Sequence, residues 1–151
     1  MIRTFSLMLM LGAGTVIANQ GDDLKLGKRL PHDAKAMGTM LLTSPAQTRP
    51  QYSVTRNGVR FSICPNESQR IVHISTSDPA FNTAEGIHVG TPLNEVRGVA
   101  HTTEIAWSGW AYVLPLPSGW NAAFVEGPTM TDAPLKEDSP VVFLFKGNSA
   151  G

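Results

Sequence analysis

Alternating apolar and polar residues predict a strand hairpin in the first half of this chain. Residues 51–56 and 59–64 both alternate with a period of two, as a half-buried strand does. Asn57-Gly58 between them is a strong signal for a tight turn, because both residue types tolerate a positive φ. A third strand is predicted at 70–76.

The second half shows the same plan. Residues 111–117 and 120–125 are predicted to form strands on either side of Ser118-Gly119, a weaker version of the same turn. Residues 141–146 are predicted to form the closing strand.

Two glycine segments precede these strand groups and align with each other. Residues 24–30 and 87–93 both run apolar, polar, apolar, glycine, two variable positions, leucine. We therefore predict an α+β fold of two tandem αβββ units, with repeat 1 at about 24–78 and repeat 2 at about 87–147. The units would share one antiparallel sheet with short helices packed on one face. Chance similarity is the alternative.

The helix of the second unit has the clearer signals. Thr91 is predicted to be its N-cap and Pro92 its first residue, with Val96 on the buried side. In the first unit Pro31 falls within the first turn, so that helix is predicted to start late, near Asp33.

Strand periodicity assigns the residues to faces. In the first half one face is apolar and the other is polar, with Arg60, Ser62, Cys64, His73 and Ser75 among its residues. In the second half the outward positions are apolar as well: Trp110, Tyr112, Leu114, Leu116, Val141, Phe143 and Phe145.

This outward aromatic group supplies the candidate binding residues Trp110, Tyr112, Phe143 and Phe145. Large exposed apolar patches usually mark an interaction surface, and Trp and Tyr are favoured interface anchors. The alternative is an ordinary core, produced by a bulge at Pro115 or Pro117. Trp107, the loop 126–140 or the N-terminal segment could also cover these residues.

The N-terminus has the parts of a secretory signal peptide. Arg3 supplies the positive start, an apolar stretch follows, and residues 16–18 are small or slim where a signal peptidase cuts. The apolar stretch is shorter than the ~20 residues that cross a membrane. We predict a signal peptide at 1–18 and one exported domain at 19–151, periplasmic or extracellular. Asn19, where a lipoprotein has cysteine, favours soluble release.

Charge and cysteine content restrict the functional classes. Twelve basic and 12 acidic residues give a net charge of +0, which argues against nucleic-acid binding. The single cysteine, Cys64, permits no intramolecular disulfide and is predicted to be an inert, partly buried thiol.

No catalytic, metal or cofactor site is predicted. The four histidines show no metal-ligand spacing. An envelope hydrolase remains the competing class, and it would need a pocket that joins His73 or His88 to Asp78 or Glu85.

Residues 86–96, GIHVGTPLNEV, followed by strands resemble the helix-opening motif of exported domains with a β-lactamase-inhibitor-protein-like fold. Small outer-membrane-assembly lipoproteins carry a similar unit. The resemblance implies a sheet whose concave face grips a partner protein, but the inhibitor's disulfides and the lipoproteins' acylated cysteine are absent here. No functional residue is carried over.

We therefore expect an exported, non-catalytic protein that binds a protein or envelope component through its aromatic sheet face. A self-associating structural module is a further alternative, and the oligomeric state is left open.

Overall fold

The computed structural model describes residues 21–147, and this part of the chain forms one antiparallel sheet with a single short helix. The helix, α1, is Leu93–Ala100. The strands are β1 (Lys35–Ser44), β2 (Gln47–Arg56), β3 (Val59–Pro65), β4 (Ile71–Thr76), β5 (Ile105–Trp107), β6 (Ala111–Pro115), β7 (Asn121–Phe124) and β8 (Phe143–Gly147). The predicted signal peptide at 1–18 lies outside the described residues.

The eight strands lie in the order β1-β2-β3-β4-β8-β7-β6-β5. The first four strands form one meander, and the last four form another in the opposite direction. The meanders join in the middle of the sheet, where β4 pairs with β8 and Ser75 lies opposite Phe145. Residues from the two halves therefore meet on both faces of the sheet.

The predicted α+β class with two αβββ units is wrong: the described chain is mainly β, with one helix of 8 residues. Where the first helix was expected, residues 35–44 form the edge strand β1. Pro31 cannot donate an amide hydrogen bond within a helix, and Gly38 has a φ of 69°, which an α-helix does not contain. Lys35 to Met40 are exposed, so a helix here would also have no buried face.

The two aligned glycines nevertheless make similar backbone contacts. The amide of Gly27 donates to the carbonyl of Ile71, and that of Gly90 donates to Val141, both at 2.8 Å. Both glycines have a positive φ, 86° and 98°, a backbone conformation that residues with a side chain rarely adopt. The likeness concerns how each segment joins the sheet, and it does not extend to a helix in the first half.

The predicted hairpin turn at Asn57-Gly58 is present, with φ of 51° and 78° at the two residues. Such paired positive values match the twist of the flanking strands and fix their register. Val54 consequently pairs with Phe61.

Helix α1 begins differently from the prediction. Pro92 is the N-cap, and no side chain caps the helix. The hydroxyl of Thr91 instead accepts a hydrogen bond from the amide of His88 at 3.1 Å. The amides of Leu93 and Asn94, which have no acceptor within the helix, donate hydrogen bonds to carbonyl groups of the loop 126–140, each at 2.9 Å.

A large core lies between α1 and one face of the sheet, and we call it the helix-side core. Both halves of the chain contribute to it, and its fully buried members include Phe61, Ile63, Ile74, Leu93, Val96, Leu114, Phe124 and Leu144.

A second, smaller core lies on the opposite face. We call it the aromatic cluster, and it comprises Trp110, Ala111, Val113, Ala123 and Phe145, with Leu42, Trp107, Val125 and Phe143 packed against it. Leu42 belongs to β1, the edge strand farthest from β5 and β6. The sheet therefore curls so that the β1–β2 hairpin reaches across this face to the opposite end.

Candidate functional site

The curled face of the sheet lines a half-open cavity of about 640 Å³, which is within the usual size of a small-molecule site. Strands β1 to β4, strand β8 and the loop 126–140 all contribute to its wall. The lining residues are Leu41, Leu42, Gln51, Arg60, Ser62, His73, Ser75, Thr76, Ser77, Asp78, Trp110, Val125, Met130, Val142 and Phe143.

The cavity has a polar side and an apolar side. Strands β2 to β4 and the turn after β4 supply the hydroxyl, amide and charged groups, whereas the segments around Trp110, Met130 and Phe143 supply the apolar wall. This division follows from the pairing of β4 with β8, which places Ser75 beside Phe145. The polar face of the first half thus continues into the aromatic face of the second.

Serine hydroxyls form the floor of the polar side. Ser62 Oγ accepts a hydrogen bond from Gln51 Nε2 at 2.8 Å, which leaves the Ser62 proton available. Ser75 lies opposite Ser62 on the next strand and is 8% exposed. Its hydroxyl makes no hydrogen bond with any other residue of the range 21–147. The floor therefore has hydrogen-bonding capacity to offer to a ligand.

Two opposite charges, on Arg60 and Asp78, line the same cavity. The Asp78 carboxylate accepts backbone hydrogen bonds from Ala80 at 3.0 Å and from Arg60 at 3.1 Å. These bonds, that from Ala80 foremost, hold the pKa of Asp78 below its ordinary value. Asp78 is therefore anionic at neutral pH, and its charge balances that of Arg60.

His73 lies deep on the polar side, is 4% exposed and stacks on Phe145 with 5.7 Å between ring centroids. Burial, with a smaller contribution from the charge of Arg49, lowers the pKa of His73 from 6.5 to about 4. The imidazole is therefore neutral at physiological pH.

Cys64 pairs with His73 across β3 and β4 and is completely buried. Burial raises the pKa of its thiol to about 11. A reactive Cys–His pair needs a lowered cysteine pKa and a protonated imidazole. Here burial keeps both groups in their neutral forms, as is typical of packed core residues and unlike a thiolate nucleophile.

Leu41 and Leu42 of β1 form the roof of the cavity, and one long-range hydrogen bond helps to hold it. Trp110 Nε1 donates to the carbonyl oxygen of Leu42 at 3.1 Å. The bond connects the turn between β5 and β6 to β1, and so joins the two ends of the sheet over the cavity. Leu41 and Leu42 are thereby held above the polar floor.

Trp110→Phe should loosen this roof while keeping most of the ring packing. We expect a loss of about 1 kcal/mol in local stability, because the Leu42 carbonyl loses its donor. Amide hydrogen exchange should accelerate in residues 37–44 and remain unchanged in β7. Trp107→Phe is the control, since it removes an indole that stacks on Trp110 at 5.2 Å but keeps the bond. Unchanged exchange in 37–44 would refute this role.

The structure places the four candidate binding residues in different environments. Trp110 and Phe145 are 3% and 1% exposed and belong to the aromatic cluster, whereas half-buried Phe143 lines the cavity beside Trp110. Tyr112 faces the helix-side core, and its hydroxyl donates to the carbonyl of Ala133 at 2.7 Å. Trp110 and Phe143 thus remain candidates for ligand contact.

The predicted outward positions of Tyr112, Leu114 and Leu116 were wrong, because the alternation of strand faces was counted from Trp110. Trp110 precedes β6 and lies in a turn, so alternation starts only at Ala111. The two positions next to Tyr112 on β6, Ala111 and Val113, belong to the aromatic cluster instead.

The polar floor and the roof were not predicted as parts of a site. The polar face of β3 and β4 was predicted, but no binding role was predicted for it. Its proximity to the aromatic residues depends on β4 pairing with β8, a non-local contact. The roof comes from β1, where a helix was expected.

One of the residue pairs named for a hydrolase reaches the cavity. His73 and Asp78 both line the cavity, and no hydrogen bond between them is found there. Glu85 and His88 do not line the cavity. Glu85 accepts a hydrogen bond from the Ser118 amide, and His88 is hydrogen-bonded to Thr91. No group of three or more His, Cys, Asp or Glu residues within 21–147 could hold a metal ion.

Comparison with protein-family models, with curated proteins and with solved structures gives no match. The resemblance to the inhibitor-like exported domains therefore stays a prediction. Among the described residues, no helix is long and apolar enough to cross a membrane.

Proposed function

We propose that this chain is an exported, non-catalytic binding protein that holds its ligand in the cavity on the aromatic side of the sheet. The observation that carries the proposal is the cavity of about 640 Å³, with an apolar wall facing a floor of hydrogen-bonding groups. Binding sites for small molecules commonly combine an apolar lining with a few placed polar groups.

The chemistry of the lining favours binding over catalysis. Its buried titratable residue, His73, is held neutral with a pKa of about 4, which makes it a weak base at neutral pH. The carboxylate of Asp78 is engaged by two backbone amides. Cys64, the thiol opposite His73 on β3, is kept neutral by burial, which raises its pKa to about 11.

The burial of Trp110 and Phe145 favours a small envelope component as the ligand over a broad protein surface. Trp110 and Phe145 are covered by neighbouring side chains and by the β1–β2 hairpin, so they present no flat patch to a partner. Export is supported by the signal-peptide pattern at 1–18, and it places the ligand in the periplasm or outside the cell.

Ser75→Phe provides the test, because the new ring would project from the floor into the cavity. The purified full chain is incubated with a solvent extract of the host envelope, purified again and analysed for bound small molecules by mass spectrometry. We expect the parent protein to retain specific components and Ser75→Phe to retain almost none.

Ser68→Phe is the matched control, since it adds the same ring at an exposed turn outside the cavity lining. It should retain the same components as the parent. Retention of nothing by the parent, or of equal amounts by parent and Ser75→Phe, would disprove the proposal.

A further inference from the structure

We infer that the cavity takes an uncharged amphipathic small molecule, whose apolar body lies against the aromatic wall and whose hydroxyl, carbonyl or N–H groups meet the serine floor. This inference rests on the proposed binding function and defines the chemical class of its ligand.

The apolar wall offers ring and aliphatic surface. Trp110 and Phe143 lie 5.7 Å apart between ring centroids, with their planes at 59°. The only polar atom of the indole is already bonded to Leu42, so Trp110 presents carbon surface to the cavity. Met130, which is 44% exposed, extends this surface from the loop 126–140 and has the flexible side chain of an adaptable contact.

The floor provides neutral hydrogen-bonding groups at a fixed spacing. Ser62 and Ser75 are directly opposed on neighbouring strands, and a hydrogen bond from Gln51 holds the Ser62 hydroxyl in place. Both hydroxyls can donate, and Ser75 can also accept. Hydroxyl, carbonyl or N–H groups on a ligand would complete these bonds without bringing a charge into the cavity.

The charges of the lining disfavour an ionic ligand. Arg60 alone would suit an anion, but Asp78 lines the same cavity and bears the opposite charge. Arg49 does not line this cavity and instead contributes, with His73, to a separate small cavity of about 70 Å³. An anion in the main cavity would meet Asp78 as well as Arg60, so the charges of the lining give it no net attraction.

Two fluorescent probes of nearly the same shape test this inference: the neutral N-phenylnaphthylamine and its anionic analogue anilinonaphthalene sulfonate. Both brighten in apolar surroundings, so titration of the full chain gives a Kd for each. We expect the neutral probe to bind at least about tenfold more tightly, the ratio that a difference of 1.4 kcal/mol produces.

Three variants locate the binding. Ser75→Phe fills the floor and should weaken the neutral probe by more than about tenfold, as the loss of several apolar contacts implies. Ser77→Trp narrows the cavity from an exposed rim position, and so gives a second obstruction that does not depend on repacking a buried residue. Ser68→Phe, in the exposed turn, should bind like the parent.

The outcomes separate the two proposals. If the sulfonate binds as tightly as the neutral probe, and both obstructing variants abolish its binding, the ligand class is overturned and the cavity function stands. If neither obstructing variant changes the binding of either probe, both proposals fail. If both obstructing variants lose binding of the neutral probe alone, the result supports the cavity function and the ligand class.

Discussion

Phe145→Ala should lower the free energy of unfolding by about 3–5 kcal/mol, the usual cost of truncating a fully buried phenylalanine. Phe145 is 1% exposed and holds the aromatic cluster together. Its ring lies 5.0 Å from Trp110 and 6.0 Å from Trp107 between centroids, and it stacks on His73. Its removal would leave all three rings without a common neighbour. Denaturant unfolding measured by circular dichroism checks the value.

Phe143→Ala is the internal comparison, because it removes the same ring two positions away on the same strand face. Phe143 is only partly buried and borders the cavity, which should limit the loss to about 1–2 kcal/mol and shift the effect towards ligand binding. Equal losses for both variants would show that Phe143 is as much a core residue as Phe145.

Acid should destabilise the protein through His73. The folded-state pKa is lowered from 6.5 to about 4 by burial, so below pH 6.5 the unfolded chain binds a proton that the folded chain does not. The stability contributed by the neutral imidazole is complete above pH 6.5 and is lost as the pH falls towards 4. The difference in pKa corresponds to a total of about 3 kcal/mol.

His73→Leu isolates this effect, because leucine is neutral at every pH. Unfolding free energies should be measured for both proteins between pH 7.5 and pH 4, and the difference between them should shift by about 3 kcal/mol across that range. Carboxylates titrate in both proteins and cancel in the comparison. A difference that does not change with pH would show that His73 keeps its ordinary pKa in the fold.

Local signals in the sequence were enough to predict most of the strands. The alternation around Asn57-Gly58 and Ser118-Gly119 predicted β2, β3, β6 and β7, and the third strands correspond to β4 and β8. These elements depend on turn chemistry and on a period of two, both of which are visible within a dozen residues. The helix after Gly90 was also predicted, although its N-cap was not.

Features that depend on distant contacts were missed. Residues 35–44 show no regular alternation of apolar and polar side chains. The pairing of β1 with β2 is correspondingly irregular in register between Ala36 and Met40 and again between Leu42 and Ser44. The strand exists because β2 offers an edge to pair with, which local propensity does not reveal. Without β1 the cavity has no roof, and the aromatic residues looked like an open surface.

The candidate site was therefore only partly predictable. Trp110 and Phe143 were identified because aromatic residues stood where polar ones were expected. Ser62 and Ser75 were placed on one polar face, but their role follows from the junction of β4 with β8. Residues 71–76 and 143–147 are too far apart in the chain for a local pattern to predict that they pair.

The hydrogen bond from Trp110 to Leu42 spans 68 positions of the chain, and this separation has a consequence for the order of assembly. The first meander can pair as soon as it is made, but its β1–β2 hairpin has nothing to close against until β6 and the turn before it are in place. Such long-range closure is slow compared with the formation of a hairpin. We expect binding capacity to be the last property that a refolding chain regains, after most of its sheet signal has returned.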